Sequence, residues 1–187
     1  MSSVWLIAGA QAAGKSTTAD LLARRFDPAV HVRGAHFYRW AVAGWVHPMQ
    51  GDDAEARRLL DLRYGLSAHA ANAYAGAGFT TVAQDTIYGD DVVVWLEAIT
   101  TRPRHLVVLD PSAEAVTARD RFRRETTGKV AYKGGFTVDA NIEAVHAIPR
   151  IGLWIDTSAM TPDDVVDEIL ARAGEATVTD DALRQSS

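Results

Sequence analysis

Residues 9–16 read Gly9-Ala10-Gln11-Ala12-Ala13-Gly14-Lys15-Ser16, which matches the pattern G-x-x-x-x-G-K-[ST] of a phosphate-binding loop. The glycines of this pattern let the backbone approach an anion closely, so that successive N–H groups converge on it. Lys15 is expected to reach the β- and γ-phosphate oxygens, and the Ser16 hydroxyl to ligate Mg²⁺. The following helix, with Thr17 in its first turn, adds its positive N-terminal end. Residues 9–17 are therefore predicted to bind a nucleotide through its phosphates.

The sequence around the motif supports this prediction. Before it, the apolar run Val4–Ala8 is typical of a buried strand, and after it residues 15–25 have helical spacing with Leu22 and Phe26 directed inward. A chance match in a chain of this composition has a probability on the order of a few in a thousand. The chain has three lysines, and one of them, Lys15, occupies the position that the motif requires.

Composition indicates one globular domain and excludes several function classes. The 187 residues suffice for a full sheet with helices on both faces, and the hydrophobic fraction of 48% is ordinary. The net charge of −5 gives no basic surface for nucleic acid. The chain contains no cysteine, so disulfides and thiolate metal sites are excluded. We find no secretory signal and no run of the ~18 apolar residues that a membrane span needs, and we expect a cytoplasmic protein, monomeric or homodimeric, without membrane or nucleic-acid partners.

Strand and helix patterns alternate along the chain, which is typical of a parallel sheet covered by helices. We predict a three-layer α/β phosphate-loop fold with five strands, at Val4–Ala8, Ala29–Val32, Phe79–Ala83, His105–Leu109 and Ile151–Ile155. A long helix is predicted over about 53–77, with an apolar stripe at Leu59, Leu62, Leu66, Ala70 and Ala73. Residues 1–174 are predicted to form a single domain with a small lid at about 119–136. Residues 175–187 are predicted to be a flexible tail.

The arginine-rich segment after the fourth strand indicates a kinase-like lid. The base-reading Asn-Lys-x-Asp motif of small GTPases does not occur, and the chain is too short for a large motor domain. Arg119 and Arg123 lie on one helix face at i, i+4, where they could contact the nucleotide and neutralise charge on a transferred phosphoryl group. The alternative is a solvated basic face.

Asp85 is the candidate acidic residue of the site. It ends the third predicted strand, and open parallel sheets bind ligands at the carboxyl ends of their strands, so its carboxylate can face Mg²⁺ or a substrate hydroxyl. The alternative is an aspartate that holds its own turn.

The aromatic stretch after the second strand is a candidate substrate pocket. Phe37 and Trp40 could form its wall, with Arg33 or His36 at its mouth, although Phe37, Trp40 and Trp45 are also spaced as core residues on one helix face.

Several segments together resemble a known family. Besides residues 9–16 these are His31-Val32-Arg33-Gly34, Ala77-Gly78-Phe79-Thr80, Gln84-Asp85 and the run from Arg150 to Ser158. The chain is similar over most of residues 3–173 to the chloramphenicol phosphotransferase-like phosphate-loop kinases, relatives of the shikimate, gluconate and adenylate kinases. The resemblance implies that ATP and Mg²⁺ are used to phosphorylate a hydroxyl of a small molecule, in many cases an antibiotic. A nucleoside or sugar kinase is the alternative within the same class.

One position departs from that family pattern. The resemblance implies an aspartate directly after the second strand, where it receives the proton of the acceptor, but this chain has Gly34-Ala35-His36. Three explanations are open: Ala35 is an engineered replacement within the substrate site, His36 or Asp85 has taken over the role, or the protein binds ATP without transferring phosphate. Base catalysis is a modest contribution in the loose transition state of phosphoryl transfer, so residual activity is compatible with alanine.

Overall fold

The computed structural model describes residues 2–46, 53–132 and 137–186. Its sheet contains five strands in the order β2-β3-β1-β4-β5, all parallel. Their bounds are β1 Val4–Gly9, β2 Ala29–Arg33, β3 Thr80–Gln84, β4 Arg104–Leu109 and β5 Leu153–Ile155. The predicted five-stranded parallel sheet is therefore confirmed, with strand ends shifted by at most two residues.

Nine helices occur within the described residues and cover both faces of the sheet. They are α1 Lys15–Ala23, α2 Ala35–Arg39, α3 Asp53–Gly76, α4 Asp91–Glu97, α5 Ala113–Thr127, α6 Val138–His146, α7 Pro162–Ala171, α8 Ala173–Ala176 and α9 Asp180–Arg184. Helices α1 and α7 pack together over one face, and α3 and α4 over the other. In this described part, no helix is both long enough and apolar enough to cross a membrane. Residues 133–136, at the end of the predicted lid, lie outside the described residues.

The central strands are apolar because both faces of the sheet are covered. All residues of β1, β3 and β4 are buried. Strands buried on both faces tend to be continuous hydrophobic runs, which is why β1 and residues 106–109 of β4 were visible in the sequence. β3 is less apolar, with two threonines and a glutamine among its five buried residues. Capping residues that are visible in the sequence, Ser112 and Thr161, mark the starts of α5 and α7. The Ser112 side chain accepts a hydrogen bond from Ala115 N–H, and Thr161 forms a capping box with Asp164.

The buried side of α3 differs from the predicted leucine stripe. Leu62 and Leu66 are 48% and 40% exposed. The face that packs on the sheet instead carries Arg63 and Ser67 among small apolar residues, and Ser67 accepts a hydrogen bond from the Trp95 indole at 2.8 Å. The predicted stripe was therefore wrong at Leu62, Leu66 and Ala73, which are exposed, and right at Leu59, which is buried. Polar groups that find buried partners can occupy part of a core face that periodicity assigns to leucines.

The C-terminal segment also differs from the predicted flexible tail. Val178 N–H donates to the Arg104 carbonyl at 2.9 Å, which continues the pairing of residue 177 beside β4. The buried Arg104 guanidinium pairs with Asp180 at 2.6 Å, and Leu183 is only 3% exposed. The segment packs over the amino end of β4. Its polar composition gave no indication of this packing.

This packing predicts the cost of removing one side chain. Leu183→Ala should lower the free energy of unfolding by about 2–4 kcal/mol, because it leaves a cavity in the core. Arg184→Ala is the matched control, since Arg184 is exposed and pairs only with Asp181 among the described residues. It should change the free energy of unfolding by about 0.5 kcal/mol or less. Urea denaturation measures both, and equal small effects would favour a flexible tail.

Candidate functional site

The phosphate-binding motif forms a tight loop between β1 and α1. Gly9 has a φ of +141°, and a Cβ at this position would lie 2.6 Å from the Leu109 carbonyl oxygen, so the close approach of β4 requires glycine. Ser16 and Thr17 are exposed in the first turn of α1. Their hydroxyls are thus available to a ligand at the start of the helix, while the Thr17 N–H donates to the Gly14 carbonyl at 3.1 Å.

Lys15 is buried inside the loop, with 7% of its surface exposed. Its ammonium donates to the carbonyl oxygens of Gly9 and Ala10 at 2.9 and 2.7 Å. Burial lowers the pKa of Lys15 to about 7; the Asp85 carboxylate opposes this shift, and the positive charges of Arg63 and Arg123 add to it. An arriving phosphate would supply the negative charge that these cations lack.

Asp85 follows β3 and is buried, with only 3% of its surface exposed. Its Oδ1 accepts hydrogen bonds from the Arg63 guanidinium at 2.8 Å and from Thr86 N–H at 2.7 Å. Oδ2 is buried and has no hydrogen-bond partner among the described residues. Burial raises the pKa of Asp85, against the lowering effects of Arg63, Thr86 N–H and Lys15. The residue does hold its own turn, but one of its oxygens remains available.

The end of β2 lies directly against this carboxylate. A Cβ on Gly34 would be 1.9 Å from Asp85 Oδ2, so no other residue fits at position 34 without moving Asp85. Ala35, the first residue of α2, comes next and is partly buried. The structure therefore brings the two positions considered for the proton acceptor, 35 and 85, to the same edge of the sheet.

Sequence reasoning missed Arg63 altogether. It comes from α3, and its guanidinium donates to both Asp85 Oδ1 and the Thr86 carbonyl, the latter at 3.0 Å. The neighbouring Tyr64 hydroxyl donates to the same carbonyl at 2.9 Å. No pattern in the sequence could have found the role of Arg63. It lies four residues after Leu59, at the edge of the predicted stripe, but its partner Asp85 is 22 residues further along the chain.

Arg119 and Arg123 both lie at the phosphate loop. The Arg119 guanidinium donates to the Ala13 carbonyl at 3.2 Å and to the hydroxyl and carbonyl oxygens of Thr157, which follows β5. Arg123 pairs with the buried Asp120 at 3.2 Å and contributes positive potential at Lys15. Arg119 is thus bound to the loop itself, whereas a residue of a solvated basic face would have no such partners.

A second group of residues, which the sequence did not reveal, contacts the phosphate loop from the other side. Asn141 of α6 is fully buried, and its Oδ1 accepts from Gln11 N–H at 2.6 Å. The Tyr132 hydroxyl donates to the Gln11 carbonyl at 2.7 Å, and the Asn141 amide also donates to the Tyr88 hydroxyl. An asparagine inside a helix and two tyrosines in loops carry no local pattern that could reveal this arrangement.

The residues predicted around α2 are only partly brought to the site. Arg33 lies 3.5 Å from Asp20 of α1, with no contact to Asp85. His36 is exposed, and so is Trp40, at 73%. Phe37 packs against the core and meets Trp40 edge-on with 5.2 Å between ring centres. Trp45 lies beyond the end of α2 and stacks on Tyr38, so the predicted single helix face of aromatics was wrong.

The donor set fits a magnesium ion that is held chiefly by nucleotide phosphates. Within the described residues there is no group of three or more histidine, aspartate or glutamate side chains that could hold a metal by itself. Mg²⁺ in phosphate sites usually keeps several waters and takes one or two protein ligands. Ser16, exposed at the loop, and Asp85, with its unpartnered Oδ2, are the candidate ligands.

Comparison with known proteins identifies the family. A family model described as "AAA domain" matches residues 4–142, from β1 to α6. The chain belongs to this AAA domain family. The match includes the phosphate loop, Asp85 and both lid arginines, and it agrees with the expected phosphate-loop kinase class. Among curated proteins nothing matches the chain.

Solved structures with this fold match nearly the whole AAA-domain chain. A sugar kinase from Janibacter sp. HTCC2649 has a TM-score of 0.67 at 15% identity, covering 94% of this chain and 96% of its own. The tunicamycin resistance protein of Deinococcus radiodurans has a TM-score of 0.64 at 14% identity, with coverage of 96% and 99%. A gluconokinase from Sinorhizobium meliloti 1021 has a TM-score of 0.59 at 14% identity, with coverage of 100% and 98%. They show the predicted α/β phosphate-loop fold.

The burial of Lys15 predicts that phosphate binding takes up a proton. At about pH 8, above its ligand-free pKa of about 7, most of Lys15 is neutral, and a bound phosphate favours the ammonium. The affinity for ADP should therefore fall as the pH rises above 7. Calorimetry in two buffers of different ionisation enthalpy measures the uptake, which we expect to approach one proton. Lys129→Arg, a change at an exposed lysine, should leave the count unchanged, and a count of zero in the native protein would contradict the prediction.

Proposed function

We propose that the chain is an ATP- and Mg²⁺-dependent phosphotransferase that moves the γ-phosphoryl group to a hydroxyl of a small molecule. The observation that carries this proposal is a buried carboxylate, Asp85, held within the electrostatic reach of the phosphate-loop Lys15 at the carboxyl edge of the sheet. A loop that only binds nucleotide does not need a carboxylate with an unpartnered oxygen beside the phosphates. Phosphoryl transfer needs one to orient the acceptor or the metal.

Each charged residue around the loop has a distinct part in the proposed reaction. Lys15 leaves the carbonyls of Gly9 and Ala10 for the β- and γ-phosphate oxygens, and the loop N–H groups hold the same phosphates. Mg²⁺, when bound through Ser16, neutralises charge on those oxygens. Arg119 closes the nucleotide side through its contacts with residues 13 and 157, and Arg123 faces the charge that develops on the transferred group.

The acceptor is proposed to bind between α2 and the end of β3. Phe37 and Trp40 offer an aromatic surface there, and Trp40 is exposed enough to cover a ligand. Such a surface suits an acceptor with an apolar or aromatic part, as an antibiotic or a nucleoside has.

A second candidate function is supported by Ala35. An alanine cannot accept a proton, so a protein that binds ATP and has lost phosphoryl transfer would show the same residue at this position. The two candidates differ in one measurable property, namely whether any acceptor increases the release of ADP.

Substitution of Lys15 tests the proposed phosphotransferase. Lys15→Ala should lower transfer by about 10²–10³-fold, because the lysine stabilises charge on the phosphates. The melting temperature should change little, because the cost of burying the Lys15 cation offsets its hydrogen bonds to the Gly9 and Ala10 carbonyls. ADP release is measured with ATP and a library of hydroxyl compounds, and mass spectrometry identifies a product heavier by one phosphoryl group. If no compound stimulates ADP release while ATP binds, the second candidate is correct.

Position 35 provides a gain-of-function prediction. A carboxylate introduced by Ala35→Asp lies at the edge of the sheet where the acceptor hydroxyl meets the γ-phosphate, and it should raise the acceptor-dependent rate. A positioned base contributes ~10²–10⁴-fold in enzymes generally and less in this loose transition state. Ala35→Asn is the matched control because it adds the same volume without a base. A lower melting temperature with no gain in rate would mean that the position tolerates only a small side chain.

A further inference from the structure

Arg63 and Asp85 form a buried ion pair that phosphate binding alone does not use. The Arg63 side chain is 10% exposed and that of Asp85 is 3% exposed. Burying both charges costs several kcal/mol in desolvation, and a well-packed apolar pair is often as stable. Stability is thus a poor reason for the pair, and its geometry offers another.

The two carboxylate oxygens of Asp85 differ in their hydrogen bonds. Oδ1 is saturated by the Arg63 guanidinium at 2.8 Å and by Thr86 N–H at 2.7 Å. Oδ2 has no partner within the described residues, although it is buried, and it faces Gly34. The carboxylate therefore cannot rotate without breaking the two bonds at Oδ1, and its free oxygen is held in one place.

The Asp85 Oδ2 oxygen is held next to position 35, where the family pattern has a carboxylate and this chain has alanine. Gly34 directly precedes Ala35, and only the absence of a side chain at residue 34 allows Oδ2 to approach the end of β2 so closely. The charge of Asp85 acts on Lys15, so the carboxylate also lies near the phosphate end of the site. The Asp85 carboxylate, which follows β3, thus lies at the edge of the sheet where a carboxylate at position 35 would act.

We propose that Arg63 is a positioning residue of the reaction, which holds Asp85 by Oδ1 so that Oδ2 receives the acceptor proton in place of a carboxylate at position 35. This inference rests on the proposed phosphotransferase function. In the step, the acceptor O–H bond breaks and its proton passes to Oδ2. The acceptor oxygen forms a bond to the γ-phosphorus, and the bond from that phosphorus to the β–γ bridging oxygen breaks, which releases ADP.

The test uses water as the acceptor, so that no substrate needs to be identified. The kcat and KM for ATP hydrolysis are compared for the native protein, Arg63→Met, Arg63→Lys and Asp85→Asn. Arg63→Met should lower kcat by up to about a hundredfold through misplacement of Asp85, with little change in the KM for ATP. Arg63→Lys should recover part of kcat, because it restores a cation beside Oδ1. Arg57→Met is the matched control, since Arg57 lies on the same helix and pairs with Asp91, outside the site.

A double variant separates positioning from other roles of Arg63. If Arg63 acts only through Asp85, adding Arg63→Met to Asp85→Asn should lower kcat no further than Asp85→Asn alone. A strictly additive loss would overturn the proposal, as would native kcat in Arg63→Met. Recovery of the Asp85→Asn rate at high Mg²⁺ concentration would also overturn it, because Asp85 would then be a metal ligand. The double variant also removes the unpaired charge, so it tests the proposal even where Arg63→Met folds poorly.

Calorimetry with ADP distinguishes this failure from failure of the proposed function. Arg63→Met removes one positive charge from the site, but it also removes a cause that lowers the pKa of Lys15. Because these two effects oppose each other, ADP binding should be retained with only a modest change in affinity. If the native protein binds ADP and hydrolyses ATP but the Arg63 variants hydrolyse it at the native rate, only the positioning role is wrong. If the native protein neither binds ADP nor hydrolyses ATP, the proposed function itself is wrong.

Discussion

The carboxylate of Asp85 offsets a concentration of positive charge at the carboxyl edge of the sheet. Lys15 and Arg63 are both buried there, and Arg123 adds its field at the mouth of the loop. Without a bound anion, the carboxylate of Asp85 is the one negative charge that acts on Lys15 against these cations. Burial is the largest cause of the low pKa of Lys15, and the positive charges of Arg63 and Arg123 lower it further. The site is therefore prepared for phosphate by electrostatics that were established during folding, and a ligand supplies the negative charge that the protein lacks.

The order of the strands places these charges together. With β1 at the centre and β3 and β4 on either side, the loops after β1, β2 and β3 open at the same edge. Ligands of parallel sheets bind at the carboxyl ends of the strands, at the point where the strand order reverses. The connections from neighbouring strands leave this point in opposite directions, so a crevice opens there. The residues that follow the strands are 10, 34 and 85, and the contact between Gly34 and Asp85 shows how closely the ends of β2 and β3 approach.

The phosphate loop is held from both sides by the segment between β4 and β5. Arg119 on α5 bonds the Ala13 carbonyl, and Asn141 on α6 bonds Gln11 N–H. Asp120 connects α5 to the chain that follows it, since it pairs with Arg123 and accepts from Ala131 N–H at 2.9 Å. A displacement of this segment would thus change the loop directly, which gives the predicted lid a physical connection to the phosphates.

The sequence alone determined the parts of this protein that local patterns encode. The phosphate loop follows from glycine and lysine spacing, the strands from runs buried on both faces, and the starts of α5 and α7 from their capping residues. Asp85 was recognisable because it ends a strand. Only the tertiary structure decided which face of α3 is buried and that residues 175–186 pack on β4. It also decided that Arg63 pairs with Asp85 and that Asn141 and Tyr132 contact the phosphate loop. These contacts join residues 22 to 130 positions apart, and their energies depend on burial and on partners from other elements, which no local pattern records.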